Sequence, residues 1–238
     1  MLLADRVQAA ITDRVGGVSM APYDSRNLGG TVGDAVAAVR QNREKTAVDL
    51  GIDPNRVVFM RQVHGAEVAY VTEPYRDDPP GLDAVFTDRP GLALGVLVAD
   101  CAPVLVADPV AGIVGAAHSG RAGTAAGVVP ALVTAMASWG ADPGRMTAVV
   151  GPTACGRCYE VPAELRAEFT AVLPEAWSTT RQGTPAIDVR SGIVAQLTAA
   201  GVTDVRHDDR CTIETPELYS YRREKRTGRF GGYIWLDT

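Results

Sequence analysis

The chain has 238 residues, of which 46% are hydrophobic and 21% are charged. This length fits one large domain or two small ones, and the composition is typical of a folded globular protein. The formal net charge of −5 argues against a nucleic-acid-binding surface, because phosphate contacts normally require an excess of basic residues. No apolar run is long enough for a membrane span, and Asp5 and Arg6 lie where a signal peptide would be apolar. We therefore expect a cytoplasmic protein with no nucleic-acid or membrane partner.

The first part of the chain is predicted to contain a turn, one helix and two strands. Ser25–Gly30 is rich in turn-forming residues. A helix is predicted over about Asp34–Leu50, with an acidic residue near its N-cap and Gly51 at the position after its C-cap. Val57–Gln62 is predicted as a strand, and Ala66–Val71 as the strand that pairs with it.

Three short apolar runs in the middle of the chain predict buried strands. After a loop at residues 74–81, the runs are Leu92–Ala99, Val104–Ala107 and Ile113–Ala117. They are rich in β-branched residues and bounded by turns, which is typical of strands covered on both faces.

The remaining part of the chain alternates helices and strands. Helices are predicted over Thr124–Trp139, Ala163–Val172 and Ser191–Ala200, and strands over Thr147–Val150 and Arg229–Leu236. No linker-like segment separates these elements. The sequence therefore predicts one α/β domain with mixed sheets.

The rare metal-binding residue types fall at the ends of predicted strands. His64 follows one strand, Cys101 lies at the end of another, and His118 ends a buried strand. Two imidazoles and a thiol are ligands that a catalytic Zn²⁺ site with one open position would use. The separations of 37 and 17 residues exclude a zinc finger, so the fold would have to bring the ligands together. The alternative is three unrelated polar residues at loop ends.

The numbers of histidines and cysteines exclude other classes of protein. The sequence has three histidines, too few for the several copper centres of a multicopper oxidase. Its four cysteines, in a chain of this length without a secretion signal, indicate reduced thiols rather than a disulfide framework.

Two glycine-rich segments are candidates for anion binding. In residues 118–124 and 29–33, small side chains would let backbone N–H groups approach an anion at the start of a helix. Both segments are ambiguous, because a tight strand-to-helix turn is the commoner structure for such a sequence. Residues 29–33 lack the G-x-G-x-x-G spacing of a dinucleotide-binding motif.

Cys155 and Cys158 form a C-x-x-C motif, which is half of a zinc site or a redox pair in some proteins. A second such pair is missing from the sequence, so we favour two buried thiols in a turn. Cys211 and His207 are interpreted as core or surface residues near a strand. Arg222 follows a Tyr-Ser-Tyr sequence and is a candidate for contact with an anion.

Six motifs occur in an order that resembles the laccase-domain proteins. This family was once labelled as multicopper polyphenol oxidases and later recognised as zinc-dependent purine nucleoside phosphorylases. The resemblance covers nearly the whole chain. The motifs are residues 27–29 (Asn-Leu-Gly), 62–65 (Gln-Val-His-Gly), 99–104 (Ala-Asp-Cys-Ala-Pro-Val), 118–120 (His-Ser-Gly), 151–152 with 158–161 (Gly-Pro and Cys-Tyr-Glu-Val), and 220–223 with 227–229 (Ser-Tyr-Arg-Arg and Thr-Gly-Arg).

The resemblance implies a fold and a metal. It implies a single α/β (α+β) domain over residues 1–238, with two mixed β-sheets and outer helices, as in the laccase-domain or cysteine-hydrolase-like fold. It also implies Zn²⁺ held by His64, Cys101 and His118. Cu²⁺ is an alternative or adventitious metal at the same ligands.

The resemblance further implies phosphorolysis of adenosine or inosine, with adenosine deamination as a side activity. Asp100 and Glu160 are acid/base candidates because they are carboxylates within the motifs. The catalytic candidates are Cys101, His118, Arg26 and Glu160, and the substrate or phosphate candidates are Arg26, Asn27, Gln62, Arg121 and Arg222. The loop after His118 departs from the family pattern, since Arg121 and Ala122 replace its Trp-Arg pair.

Three other functions are compatible with the same residues. A peptidoglycan-precursor amide hydrolase would use a zinc-bound hydroxide, or Cys101 as a nucleophile paired with a histidine. A non-enzymatic metal-binding module would need a fourth ligand, such as His207 or Cys155. A weak copper-dependent polyphenol oxidase is the third. The partners expected are a purine nucleoside and phosphate, and a monomer is favoured.

Overall fold

A computed structural model describes residues 2–75 and 78–238 of the chain. Within these residues the secondary structure consists of thirteen strands, six α-helices and three short 3-10 helices. The strands are β1 (Leu2–Ala4), β2 (Val7–Ile11), β3 (Val57–Phe59), β4 (Val68–Tyr70), β5 (Ala84–Thr87), β6 (Ala93–Val98), β7 (Ala102–Asp108), β8 (Ile113–Ser119), β9 (Thr147–Val150), β10 (Trp177–Thr179), β11 (Pro185–Ile187), β12 (Asp204–His207) and β13 (Phe230–Leu236). The α-helices are α1 (Val36–Asp49), α2 (Arg121–Ala125), α3 (Val128–Ser138), α4 (Ala163–Val172), α5 (Val189–Ala199) and α6 (Tyr221–Glu224).

The strands form two large mixed sheets and one hairpin. The five-stranded sheet has the order β1-β2-β13-β6-β3, and the six-stranded sheet has the order β12-β9-β7-β8-β5-β4. Strands β10 and β11 form an antiparallel pair. Each large sheet contains parallel and antiparallel neighbours. The predicted α/β fold with two mixed sheets and outer helices is confirmed.

Alternating side chains divide the core into layers. On β7, Val104 and Val106 pack towards the helices α3, α4 and α5, whereas Leu105 packs against the five-stranded sheet. The far face of that sheet meets α1 and its neighbouring loops through residues such as Tyr233 and Ala47. Because apolar surface is covered on both faces, the central strands are continuous apolar runs. The predicted burial of β6, β7 and β8 is therefore confirmed.

The predicted helix over Thr124–Trp139 is wrong in its continuity. The chain forms α2 and α3 instead, and Gly127 between them has φ of +82°. This left-handed conformation is incompatible with an unbroken right-handed helix, and glycine adopts it without steric strain. The helix α1 begins two residues later than predicted, and Asp34 does not cap it; the Asp34 carboxylate accepts hydrogen bonds from Ser19 and Asn27 instead.

The predicted pairing of the strand after Val57 with the strand after Ala66 is also wrong. Strand β3 pairs in parallel with β6 in the five-stranded sheet, whereas β4 pairs in parallel with β5 in the six-stranded sheet. The loop between β3 and β4, which carries His64, therefore passes from one sheet to the other. The predicted loop at residues 74–81 includes residues 76 and 77, which lie outside the described residues.

Three strand ends meet at one edge of the six-stranded sheet. In the antiparallel pair β7–β8, Pro103 lies opposite His118, so the start of β7 is beside the end of β8. Ala84 at the start of β5 lies opposite Ala117. Cys101, His118 and Asp83 are thus brought together although they are distant in sequence. In the described ranges, no helix is long and apolar enough to cross a membrane.

Gly115 on β8 provides a test of the packing beneath this edge. A Cβ atom at Gly115 would lie 2.7 Å from Met136 Sδ and 2.9 Å from a Leu132 methyl group on α3. We expect Gly115→Ala to lower the free energy of unfolding by about 1–3 kcal/mol, because the crowded core must shift. Urea denaturation followed by circular dichroism measures this. Gly144→Ala is the matched control, since the nearest atom to a Cβ there is a single side-chain oxygen of Asp142 at 3.3 Å. An equal loss in both variants would contradict the packing argument.

Candidate metal centre and active site

His64, Cys101 and His118 lie together at the edge of the six-stranded sheet. Their potential ligand atoms all lie within 4.8 Å of one another. Cys101 Sγ is 3.8 Å from His64 Nε2, and the two imidazole rings are 4.7 Å apart between centroids. His118 is buried, Cys101 is half-buried and His64 is exposed, so the group opens towards solvent on the His64 side.

The carboxylate of Asp83 positions both histidines. It is fully buried, and its Oδ1 accepts a hydrogen bond of 2.7 Å from His118 Nδ1 and one of 3.0 Å from the His64 backbone N–H. Its Oδ2 accepts from the backbone N–H groups of Val63 and Gly65. A proton held on His118 Nδ1 leaves the lone pair of Nε2 for a ligand, as is common for metal-binding histidines.

One of the ligands, and the residue before another, have an unusual backbone conformation. His64 has φ of +62° and Asp100 has φ of +89°, values that side-chain-bearing residues seldom adopt. The Asp83 carboxylate holds the His64 backbone in this conformation by accepting a hydrogen bond from its N–H. Asp100 is held by Thr212 Oγ1, which donates to its Oδ1 at 2.6 Å, and by the Arg222 N–H, which donates to its Oδ2 at 2.7 Å. Strained residues held in this way often occur at functional sites.

Gly120 is required by the close approach of the ligands. A Cβ atom there would lie 2.5 Å from Cys101 Sγ and 3.1 Å from His64 Cδ2. Only a residue without a side chain leaves the room that these two groups occupy. The glycine-rich segment after His118 therefore serves the site by its small size.

Cys101 and His118 each favour the charged form of the other. Burial opposes ionisation of the Cys101 thiol, but the charge of His118 and hydrogen bonds to His118 and His64 outweigh it and lower the pKa to about 6. Burial also opposes protonation of His118, yet the Cys101 thiolate and the Asp83 carboxylate raise its pKa to about 9. A thiolate of this kind is the form that binds metals and acts as a nucleophile.

The donor set fits a borderline metal ion such as Zn²⁺ or Cu²⁺. A thiolate and two imidazoles suit either ion, and three protein ligands leave one position open for a substrate. Donors on one tetrahedral zinc ion are roughly 3.3–3.8 Å apart, so the present separations need only small side-chain movements.

The ligand group lies on the wall of a cavity of about 830 Å³, a size that suits a small-molecule substrate. Among the described residues, five arginines and two acidic residues line this cavity, so this lining favours an anion. Aromatic rings of Phe59, Tyr159 and Tyr221 line it as well. The arginines are Arg43, Arg61, Arg121, Arg222 and Arg229, and the acids are Asp78 and Asp100.

Three of the candidate substrate residues line this cavity. Arg121 is exposed at the start of α2. Arg222 stacks over the Tyr159 ring at 4.4 Å and donates from Nη1 to the Glu160 carbonyl at 3.0 Å. Gln62 lines the cavity too, but its amide both donates to and accepts from the backbone of Leu97, which ties the loop before His64 to β6.

Three other candidates lie outside the cavity lining. Arg26 forms an ion pair of 3.4 Å with Asp49. Asn27 is fully buried, and its side chain bonds to the backbone of Gly29 and Arg229 and to Asp34, which shapes the turn beside the cavity. Glu160 has an exposed side chain on a residue that bridges to β11.

Sequence reasoning missed Asp83 and several cavity residues. A lone aspartate before a strand carries no local signal, and only strand pairing shows that it faces two histidines. Arg43 on α1 and Arg229 before β13 are far apart in sequence, and burial lowers the pKa of both guanidinium groups. A bound anion would relieve this penalty on their charged forms.

The comparisons with known proteins agree with this architecture. The family model described as multi-copper polyphenol oxidoreductase laccase matches residues 8–237. Purine nucleoside phosphorylase ORF3 of Streptomyces griseus is 59% identical over 230 residues, covering 96% of this chain and 94% of that protein. Purine nucleoside phosphorylase YfiH of Escherichia coli is 38% identical over 234 residues, covering 97% and 94%.

Solved structures show the same fold. YlmD from Geobacillus stearothermophilus superposes with a TM-score of 0.91 at 32% identity, covering 98% of this chain and 93% of that one. Neisseria meningitidis protein NMB0706 superposes with a TM-score of 0.89 at 34% identity, covering 100% and 97%. By its family match, its relatives and its fold, this chain belongs to the multi-copper polyphenol oxidoreductase laccase family.

Proposed function

We propose that this protein is a zinc-dependent purine nucleoside phosphorylase that cleaves adenosine or inosine with inorganic phosphate, and that adenosine deamination is a side activity. The observation that carries the proposal is one cavity of about 830 Å³, in which the described lining residues combine the three metal donors, five arginines and three aromatic rings. The names of the relatives support the same class of reaction. The proposal includes the cytoplasmic monomer that is expected from the sequence.

The arginines of the cavity supply the charge that phosphate requires. Phosphorolysis breaks the bond between ribose C1′ and the purine nitrogen and forms a bond between C1′ and a phosphate oxygen. Guanidinium groups bind phosphate oxygens through charge-assisted hydrogen bonds. Arg121 is exposed at the cavity wall beside His118, and Arg222 is steadied by Tyr159 and by the Glu160 carbonyl. These two arginines are our candidates for binding phosphate.

The aromatic residues offer a surface for the purine ring. Phe59, Tyr159 and Tyr221 line the same cavity as the metal donors. Stacking of a base on an aromatic side chain contributes about 1–3 kcal/mol and depends little on the base. This tolerance suits an enzyme that accepts both adenosine and inosine.

The metal donors are His64, Cys101 and His118, and Asp83 orients them. A bound Zn²⁺ would act as a Lewis acid on the substrate, and for deamination it would activate water. Asp83 keeps the His118 proton on Nδ1, away from the substrate side, and holds the His64 backbone in its left-handed conformation. Zinc is proposed rather than a set of coppers because the sequence has only three histidines. Copper at the same donors would be adventitious and would support at most weak oxidase activity.

A peptidoglycan-precursor amide hydrolase is the second candidate, and one observation favours it. Cys101 Sγ lies 3.8 Å from His64 Nε2 and within 4.8 Å of a His118 ring nitrogen, which is the arrangement of a cysteine nucleophile beside a histidine base. A metal on Cys101 would remove that nucleophile, so metal content separates the two mechanisms. The non-enzymatic module lacks support, because His207 pairs with Asp209 and Cys155 belongs to another cluster.

His118 provides a test of the proposed metal centre. We expect His118→Ala to fold, to lose zinc from this centre and to lose phosphorolysis together, because His118 supplies one of three donors. Elemental analysis measures the zinc lost relative to wild type, and the formation of ribose 1-phosphate from adenosine and phosphate measures the activity. His207→Ala is the matched control, since His207 is exposed and lies outside the cavity.

Retention of both zinc at this centre and turnover in His118→Ala would overturn the proposed centre. Absence of both ribose 1-phosphate and inosine from the zinc-loaded wild type would overturn the proposed function. Cleavage of an amide substrate by metal-free protein would instead favour the second candidate.

Asp83 provides a test of how the metal ligands are oriented. Asp83→Asn keeps the shape of the side chain but presents an amide N–H₂ group to donors that need an acceptor. We expect the zinc affinity of this centre to fall about 10–100-fold, as for other residues that orient metal ligands. Competition with a chromogenic chelator measures the affinity. Asp88→Asn is the control, because Asp88 is half-buried and accepts from Tyr70 and Trp139 instead; an unchanged affinity in Asp83→Asn would contradict the positioning role.

Arg121 provides a test of the proposed phosphate contact. We expect Arg121→Ala to raise the KM for phosphate about tenfold, the equivalent of one charge-assisted hydrogen bond, with a smaller effect on the KM for the nucleoside. Initial rates at varied phosphate concentration measure this. Arg40→Ala on the exposed face of α1 is the control and should leave both constants unchanged. An equal rise in both constants would argue against a phosphate contact.

A further inference from the structure

A second group of metal-binding residues lies at the other side of Asp100. Cys155 and Cys158 follow β9, and Cys211 and Glu214 follow β12. Because β9 and β12 pair in parallel, the loops after them leave the same edge of the six-stranded sheet. A bridge between Thr153 and Cys211 continues this pairing into the loops.

The two loops have the same spacing and the same local structure. Each has two residues between its potential ligands, so that the pairs are Cys155-x-x-Cys158 and Cys211-x-x-Glu214. The Cys155 carbonyl accepts from the N–H groups of Cys158 and Tyr159, each at 2.9 Å. The Cys211 carbonyl likewise accepts from Glu214 at 3.1 Å and from Thr215 at 2.9 Å. Paired turns with ligands at their first and fourth positions are typical of structural zinc sites.

The four side chains converge on one point. One ligand atom from each lies within 4.8 Å of all the others, and the group is only partly covered from solvent. Donors on a tetrahedral zinc ion, with Zn–S bonds of about 2.3 Å, are about 3.8 Å apart. The side chains are therefore close enough to bind one ion after small rotations.

A backbone donor already points at one of the three sulfurs. The Cys155 backbone N–H donates to Cys211 Sγ at 3.3 Å. Hydrogen bonds of this kind orient metal ligands and are common around bound metal ions.

We propose that Cys155, Cys158, Cys211 and Glu214 form a second metal site, which binds a structural Zn²⁺ ion through three thiolates and one carboxylate. Four protein ligands close the coordination sphere, as in structural sites and unlike the three-donor centre at His118. The C-x-x-C motif therefore has its second half in Cys211 and Glu214. It is not a pair of buried thiols, since Cys155 and Cys158 are half-buried.

Arg181 supports this site from outside. Its Nη1 donates to Cys158 Sγ at 3.1 Å and forms a close ion pair with Glu214. Three thiolates and a carboxylate exceed the charge of one zinc ion, and the guanidinium group offsets part of the excess. Hydrogen bonds from such residues orient metal ligands and tune their affinity.

The position of the site indicates its role. Thr153 Oγ1 donates to the Asp100 carbonyl at 2.6 Å, and Thr212 Oγ1 donates to the Asp100 carboxylate. Thr153 lies two residues before Cys155, and Thr212 directly follows Cys211. A zinc ion that joins the two loops would hold both threonines, and through Asp100 the backbone that leads into Cys101.

Counting zinc ions tests the proposal. After exhaustive dialysis, we expect two zinc ions per wild-type chain by elemental analysis. The double variant His64→Ala/His118→Ala should retain one, because its second site is intact. The double variant Cys155→Ser/Cys158→Ser should also retain one, at the first centre. One zinc ion in wild type, and none in His64→Ala/His118→Ala, would overturn the proposal.

Cobalt gives a test that does not depend on the stability of the cysteine variants. Co²⁺ added to metal-depleted His64→Ala/His118→Ala should produce the visible absorption of a tetrahedral thiolate site. Glu214→Gln in that background should lower the Co²⁺ affinity at least about tenfold, because a charged ligand is lost. Glu217→Gln is the matched control, since Glu217 is an exposed glutamate on the same segment. Absence of the absorption, or an equal affinity in both variants, would contradict the proposed ligand set.

A disulfide is the competing use of these thiols. It would join two of the three sulfurs and leave no role for Glu214. Mass spectrometry of the denatured, unreduced wild type should show all four cysteines as free thiols. A mass lower by two hydrogens, together with the absence of a second zinc ion, would show a disulfide and would overturn the proposed metal site.

Discussion

The buried carboxylate of Asp83 is the contact on which the candidate active site depends. It accepts four hydrogen bonds, three from the turn that carries His64 and one from the His118 ring. The Asp83 carboxylate thereby connects two parts of the fold. One is the loop that follows β3 of the five-stranded sheet, and the other is the end of β8 in the six-stranded sheet. Burial alone would raise the pKa of the Asp83 carboxyl, but hydrogen bonds from His118, Gly65 and Val63 and the charge of His118 lower it. Removing the acceptor would leave these donors unsatisfied, which is why one side chain controls the geometry of two ligands.

Asp100 plays the corresponding part on the other side of Cys101. Its left-handed backbone conformation is held by hydrogen bonds from the loops after β9 and β12 and from the start of α6. The proposed second zinc site joins two of these loops. The molecule would then use one metal for chemistry and one for support, and the two sites would be connected through a few hydrogen bonds.

The fold was predictable where burial is uniform and where single residues mark a turn. The continuous apolar runs of β6, β7 and β8 identify central strands, and Gly51 marks the end of α1 at its positive φ. Strands of three residues, such as β3 and β4, contain too few side chains to show which sheet they join. Their pairing depends on contacts with β6 and β5, which are distant in sequence. The break at Gly127 was missed because glycine occurs in unbroken helices as well.

By itself, the sequence determined the residue types and the strand ends that could bind a metal, since His64, Cys101 and His118 are rare residues beside recognisable strands. It also determined the family, through motifs spread over nearly the whole chain. Only the tertiary structure decided which residues face these ligands: Asp83, Arg43 and Arg229 carry no local signal, and Arg26 lies outside the cavity lining despite its place near a motif. The physical reason is that helix and strand patterns arise from neighbours along the chain. A binding site arises from strand register and loop packing, which bring together residues that the sequence separates.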